Sequence, residues 1–170
     1  MTTNPEAART PYTGGEKESL HASLNRHRDA VLWKLEGLDD EQVRRVMTPS
    51  GTNLLGLVKH LASVEYGWFC STFGREVEPL WFDPYKAEDM SAGQGETTAQ
   101  IVEFYGRARA AADHTIDELS LDDLGKSSHG TTVSLRWVLI HMVEETARHA
   151  GHMDIVRELI DGGAGDHRPG

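Results

Sequence analysis

The chain has 170 residues, 38% of them hydrophobic, and 17 lysines and arginines against 27 aspartates and glutamates give a formal net charge of −10. This size predicts one domain with a proper core, and the charge argues against nucleic acid or an anionic membrane as a partner. With a polar start, no apolar run of about 18 residues and Cys70 as its single cysteine, the chain is expected to be cytoplasmic and without disulfides or a cysteine-based zinc site.

The first part of the chain predicts a flexible arm followed by a helix. Residues 1–15 hold two prolines and a glycine pair among small polar residues, which is typical of a mobile segment. Residues 16–38 carry apolar residues at helical spacing and form the first predicted helix. His27 lies on the same face, and we interpret it as a packed core or interface histidine rather than a ligand.

The second predicted helix, residues 53–72, carries a histidine beside an unusually small flank. His60 lies at the margin of the apolar face, with Gly56, Ser63 and Gly67 alongside it. So little side-chain volume lets another helix or a ligand come close to His60. Because glycine costs a helix about 1 kcal/mol relative to alanine, we predict that this flank packs against the last helix.

A long irregular segment, residues 76–95, follows and contains several prolines and aromatic residues. Loops of this length are often functional, so we expect it to cover the bundle or line the mouth of a pocket. Residues 97–119 form the third predicted helix. The polar connection after it carries His129, which we expect to be exposed to solvent.

The last predicted helix, residues 134–161, carries a cluster of ionisable groups beside its apolar stripe. His141, Glu145, His149 and His152 project within about 80° of one another, and they span about 16 Å along the axis. Glu145 is four residues from both His141 and His149, so each pair could bind one cation, but all four residues cannot. The alternative is that the histidines form hydrogen bonds inside a bundle and the glutamate pairs with an arginine.

Four amphipathic helices with long connections predict an all-α four-helix bundle. We expect the domain to comprise residues 16–162, without strands, and residues 163–170 to be a flexible tail.

Two segments resemble a known superfamily. Residues 49–69 read PSGTNLLGLVKHLASVEYGWF, and residues 135–162 read LRWVLIHMVEETARHAGHMDIVRELIDG. They resemble the DinB-like superfamily of four-helix metalloproteins, and within it the branch that includes mycothiol-dependent maleylpyruvate isomerase. The two segments cover about a quarter to a third of the chain, and the order of the helices agrees over most of the rest.

The resemblance implies a metal site at His60, Glu145 and His149. The superfamily often uses two histidines on the last helix, whereas the isomerase branch has the Glu-x-x-x-His pattern found here. Zinc is the first expectation for such ligands, with nickel, iron or manganese as alternatives. Three protein ligands leave a position open for water or a thiol, so His141 and His152 become candidates for general acid–base catalysis or for supporting the ligands.

The leading hypothesis is therefore a metal-dependent enzyme that activates a low-molecular-weight thiol such as mycothiol towards a small electrophile. One alternative is a metal-water hydrolase with Glu144, His141 or His152 as base. The other is a non-catalytic bundle that binds a metal or small molecule in a stress response. The expected partner is a small-molecule substrate, with a homodimer left open. An anionic thiol or substrate would need cations, for which Arg75, Arg136 and Arg148 are candidates.

Overall fold

The computed structural model describes residues 13–165. Most of the predicted arm, residues 1–12, and the end of the predicted tail, residues 166–170, lie outside the described residues. The helices and strands are α1 (Glu16–Trp33), α2 (Asp40–Arg44), α3 (Leu54–Glu65), α4 (Thr98–Glu118), β1 (Leu124–Lys126), β2 (Thr132–Ser134) and α5 (Leu135–Asp161).

The four long helices form a bundle in which α1 packs along α5 and α3 packs along α4. Their apolar stripes meet in a core that includes Leu24, Leu57, Phe104 and Met142, each almost fully buried. This arrangement confirms the all-α prediction. Within residues 13–165, none of the helices combines the length and apolar character that crossing a bilayer requires.

The second helix extends beyond α3 through two irregular turns. The backbone continues as a π-helical turn over Tyr66–Cys70 and a 3-10 turn over Ser71–Phe73. It ends at Gly74, whose φ of 67° is a left-handed conformation that glycine adopts without steric cost. The predicted end near residue 72 is therefore close, although the last two turns are not regular α-helix.

A short antiparallel ribbon contradicts the expectation that the chain has no strands. Strand β1 pairs with β2, so that Leu124 lies opposite Ser134 and Lys126 lies opposite Thr132. Strands of three residues are too short to produce a recognisable alternating pattern, and this explains the error. A β-carbon at Gly125 would lie 2.4 Å from the carbonyl oxygen of Thr72, so glycine is what lets the ribbon approach the end of the second helix.

The segment between the second and third long helices, residues 76–96, packs against the side of α3 and is called the cover loop below. Lys59 fixes it to α3, because its buried Nζ donates to the carbonyl oxygens of Glu88 and Ser91 at 2.9 and 3.0 Å. The same Nζ lies 2.9 Å from a carboxylate oxygen of Glu96. These contacts hold two 3-10 turns, Pro84–Lys86 and Glu88–Met90, over the side of α3.

A buried ion pair joins α1 to α3. Arg28 Nε and Nη2 donate to the two carboxylate oxygens of Glu65 at 2.7 and 2.6 Å. Both side chains are almost completely buried. The paired, two-point geometry satisfies the charge of each group inside the core.

Candidate metal centre

Three side chains from α3 and α5 converge on one carboxylate oxygen. His60 Nε2 lies 3.2 Å from Glu145 Oε1, and His149 Nε2 lies 3.0 Å from the same oxygen. One ligand atom from each residue lies within 4.8 Å of the other two. Glu145 and His149 are one turn apart on α5, and α3 brings His60 to them from the facing helix. Glu145 therefore meets two histidines rather than the arginine of the alternative interpretation.

The three groups are partly buried, and their charges are coupled. Their side chains are 17%, 24% and 12% exposed for His60, Glu145 and His149. Hydrogen bonds from His149 and His60 hold the pKa of the Glu145 carboxyl well below its usual range, against the opposing effect of burial. Burial alone would lower the pKa of His60, but hydrogen bonds to Asp89 and Glu145 outweigh it and raise the pKa to about 9.

Asp89 of the cover loop supports His60 from behind. His60 Nδ1 donates to Asp89 Oδ2 at 2.8 Å, and Asp89 is 4% exposed. This bond keeps the proton on Nδ1 and leaves Nε2 to point at Glu145. A carboxylate that accepts from the second nitrogen of a histidine is the usual outer partner of a metal-binding imidazole, because it fixes the tautomer and the orientation of the ring.

The two histidines proposed as catalytic lie in different surroundings. His152 is exposed, and its Nδ1 lies 3.4 Å from His149 Nδ1. Burial, followed by the charges of His149 and Arg148, lowers the pKa of His152. His141 instead lies between two indole rings, stacked on Trp137 with centroids 4.9 Å apart and edge-on to Trp68 at 4.6 Å.

A cleft of about 450 Å³ opens beside His60. The cover loop forms one wall, and Ser63, Gly67 and Trp68 of the second helix form another. The π-helical turn contributes Gly67 and Trp68, and such turns recur at functional sites. A third wall comes from the end of β1 and the connection between the strands, and contains Lys126, Ser128 and His129. The cleft thus connects a candidate metal ligand with a polar surface loop.

Comparison with known proteins agrees with this architecture. A sequence model of the mycothiol-S-transferase family matches residues 19–162, which is most of the chain. The chain belongs to this family. Its membership confirms the resemblance to DinB-like proteins and covers α1, α3, α4 and α5, including the three convergent side chains.

A solved structure has the same fold at low sequence similarity. The crystal structure of a conserved protein from Enterococcus faecalis superposes with a TM-score of 0.61 and 14% identity, over 89% of this chain and all of the other. Such a likeness concerns the fold alone. No curated protein matches the chain.

The small-residue flank of this family member does not pack against the last helix, so that prediction is wrong. A β-carbon at Gly56 would lie 2.2 Å from the carbonyl oxygen of Met90, which places the cover loop there instead of α5. A β-carbon at Gly67 would meet no atom within 4 Å, and Gly67 with Ser63 lines the cleft. Small residues let the loop approach at one end of the flank and leave space at the other.

Two of the three arginines considered for an anionic ligand are paired elsewhere. Arg75 lies 2.7 Å from a carboxylate oxygen of Glu118. Arg136 contacts carboxylates of Glu16 and Asp122 at 2.8 and 2.5 Å. Arg148 is exposed on α5, where its charge acts on nearby His152. None of the three lines the cleft, where the only lysine among residues 13–165 is Lys126 at the end of β1.

The other residues considered in the sequence have simpler surroundings. Cys70 is buried, and burial raises the pKa of its thiol, as suits a packed residue rather than a nucleophile. His27 is half-buried on α1 and lies outside the convergent group. His129 is exposed as expected, but it also lines the cleft. Sequence reasoning missed Asp89, because the six acidic residues of the cover loop have no pattern that distinguishes the one near His60.

Proposed function

We propose that the chain is a metal-dependent enzyme that activates a low-molecular-weight thiol, such as mycothiol, for transfer to a small electrophile. The observation that supports this most directly is the convergence of His60, Glu145 and His149 on one point beside a cleft. Membership of the mycothiol-S-transferase family supplies the reaction class.

The donor set fits a divalent metal. Two imidazole nitrogens and one carboxylate oxygen are ligands that zinc, nickel, iron and manganese accept, and zinc is the first expectation. With Nδ1 of His60 bonded to Asp89, Nε2 is the nitrogen that would bind a cation, in place of the proton that it shares with Glu145 in the metal-free protein. His149 offers Nε2 in the same way, because its Nδ1 can donate to His152. Three protein ligands also leave room for an exogenous thiol, as a catalytic site requires.

The residues around the site suit a thiol transfer. When bound, a divalent cation lowers the pKa of a coordinated thiol so that the sulfur is a thiolate at neutral pH. The sulfur forms a bond to an electrophilic carbon after it loses its proton, and the displaced group leaves with the electron pair of the broken bond. His152 lies exposed beside His149, and we assign it as the group that accepts the proton. Trp68 and Val64 give the cleft apolar surface on which the rest of a small ligand can pack.

Metal analysis of the purified protein tests the ligand assignment. We expect about one equivalent of metal in the natural protein, and His60→Ala, Glu145→Ala and His149→Ala should each lose most of it. His129→Ala and His167→Ala remove a histidine from elsewhere in the chain and should keep the metal. Loss of metal in the two controls but not in the three variants would refute the assignment.

A conjugation assay tests the reaction. The metal-loaded protein should accelerate the reaction of mycothiol with chlorodinitrobenzene, and a chelator should abolish the acceleration. The bell-shaped pH profile of kcat/KM should lose its acidic limb in His152→Gln if His152 accepts the proton, whereas His141→Gln is the matched comparison. A protein that retains metal but binds no thiol would contradict the proposal and favour a hydrolase or a non-catalytic bundle.

A further inference from the structure

The wall that the ribbon contributes to the cleft is basic, although the chain carries a net charge of −10. Lys126 and His129 line this wall, and among residues 13–165 neither takes part in an ion pair. Asp89 is the one acidic residue among those that line the cleft, and it is already bonded to His60. The most prominent charge available to a ligand in this cleft is therefore the Lys126 ammonium, with Ser128 and the His129 imidazole beside it as hydrogen-bonding groups.

Much of the rest of the cleft lining is apolar. Val64, Trp68, Pro84 and Met90 supply apolar surface, and Gly67 leaves open space. A ligand that fits this lining has a carbon framework for the apolar surface and a negatively charged group for Lys126. A positively charged group of a ligand would be repelled by Lys126.

We propose that Lys126 and His129 form a subsite for a carboxylate on the ligand that occupies this cleft. The proposal rests on the proposed function, since the other end of that ligand lies at the His60 site. It assigns the substrate class as small organic acids and places their recognition on the ribbon, outside the four helices. The structural basis of the proposal is the close approach of Gly125 to Thr72, which brings the neighbouring Lys126 to the cleft.

The carboxylate can belong to the thiol or to its reaction partner, and two binding experiments separate these sources. In the first, cobalt-loaded protein is titrated with mercaptohexanoate and with mercaptohexanol, and thiolate binding is followed by the cobalt charge-transfer absorbance. In the second, protein saturated with mercaptoethanol is titrated with hexanoate and with hexanol by calorimetry. The acid should bind about tenfold more tightly than the alcohol in at least one experiment. This ratio is at the lower end of the range expected for one hydrogen bond to a charged group.

Variants connect that preference to the subsite. Lys126→Met should abolish the preference for the acid without changing the affinity for the alcohol, and His129→Ala should reduce it. Lys86→Met is the matched control, because Lys86 is an exposed lysine of the cover loop that does not line the cleft. Added salt should also reduce the preference, since the subsite is open to solvent.

Failure of the subsite differs from failure of the proposed function. If mercaptohexanol binds cobalt but the acid is not preferred in either experiment, or if the preference survives in Lys126→Met, the subsite is refuted and thiol activation stands. If neither thiol alters the cobalt spectrum, thiol activation is refuted. Hexanoate can then still be titrated into the metal-free protein, where a Lys126-dependent preference would support the subsite alone.

Discussion

Replacing Asp89 with asparagine removes the negative charge behind His60 and keeps an oxygen that can accept from Nδ1. The bond is 2.8 Å long and the carboxylate is almost fully buried, so little solvent screens it. Loss of such an outer partner typically weakens metal binding by about 10–100-fold, or about 1.4–2.7 kcal/mol. We expect about tenfold for Asp89→Asn and nearer one hundredfold for Asp89→Ala, which also loses the acceptor.

The pH dependence makes this prediction specific. Asp89 raises the pKa of His60, so it also strengthens the competition between protons and metal at that imidazole. The difference in zinc affinity between the natural protein and Asp89→Asn should therefore be largest near pH 9. It should become smaller towards neutral pH, where protons compete with zinc for His60 less strongly in the variant than in the natural protein. Zinc affinity can be measured by competition with a chromophoric chelator at both pH values.

Glu76→Gln is a suitable control because it removes one charge from an exposed position of the same loop. It should not change the zinc affinity at either pH. A loss in Asp89→Asn that was equal at neutral pH and near pH 9, or absent near pH 9, would refute the role of Asp89 in fixing the His60 tautomer. Thermal unfolding of the metal-free variants would identify any loss that came from misfolding.

Three further predictions concern the fold and its titration. Glu65→Leu removes the two-point partner of buried Arg28 but leaves Asp113 at 2.6 Å, so the free energy of unfolding in urea titrations should fall by less than the roughly 3–5 kcal/mol of a fully unpaired buried charge; a loss below about 1 kcal/mol would contradict the packing. Gly56→Ala should displace the cover loop, costing about 1–3 kcal/mol and weakening zinc binding, whereas Gly67→Ala, which meets no atom within 4 Å, should do neither. The pKa of His60 is raised from 6.5 to about 9, so protonated His60 stabilises the metal-free fold fully below pH 6.5, and this stabilisation is lost as the pH rises through 9. The melting temperature of the metal-free protein should therefore fall between pH 6.5 and 9, and it should fall less in His60→Gln.

The helices and half of the candidate site could be predicted from the sequence because both depend on local spacing. Apolar residues at a period of 3.6 located all four long helices, and a four-residue interval placed Glu145 beside His149. His60 required more, because nothing local aligns α3 with α5. The resemblance to DinB-like proteins supplied that relation, and the family match supports it.

The remaining parts of the site depend on how irregular segments settle on the bundle. Asp89 reaches His60 only because Lys59 holds the neighbouring carbonyl groups of the cover loop. Lys126 reaches the cleft only because β1 packs against Thr72. These are contacts between residues far apart in sequence, without helical or alternating periodicity. The error about the small-residue flank has the same origin, since a low-volume surface does not indicate which segment will cover it.

The attachment of the cover loop through main-chain atoms has a consequence for how this protein can change over evolution. Lys59 recognises carbonyl oxygens at Glu88 and Ser91, and every amino acid supplies such an oxygen. Mutations at Tyr85 or Ala87, which line the cleft, can therefore accumulate without releasing Asp89 from its place behind His60. Descendants of this protein can acquire a cleft of different chemistry while the candidate cation site is inherited intact.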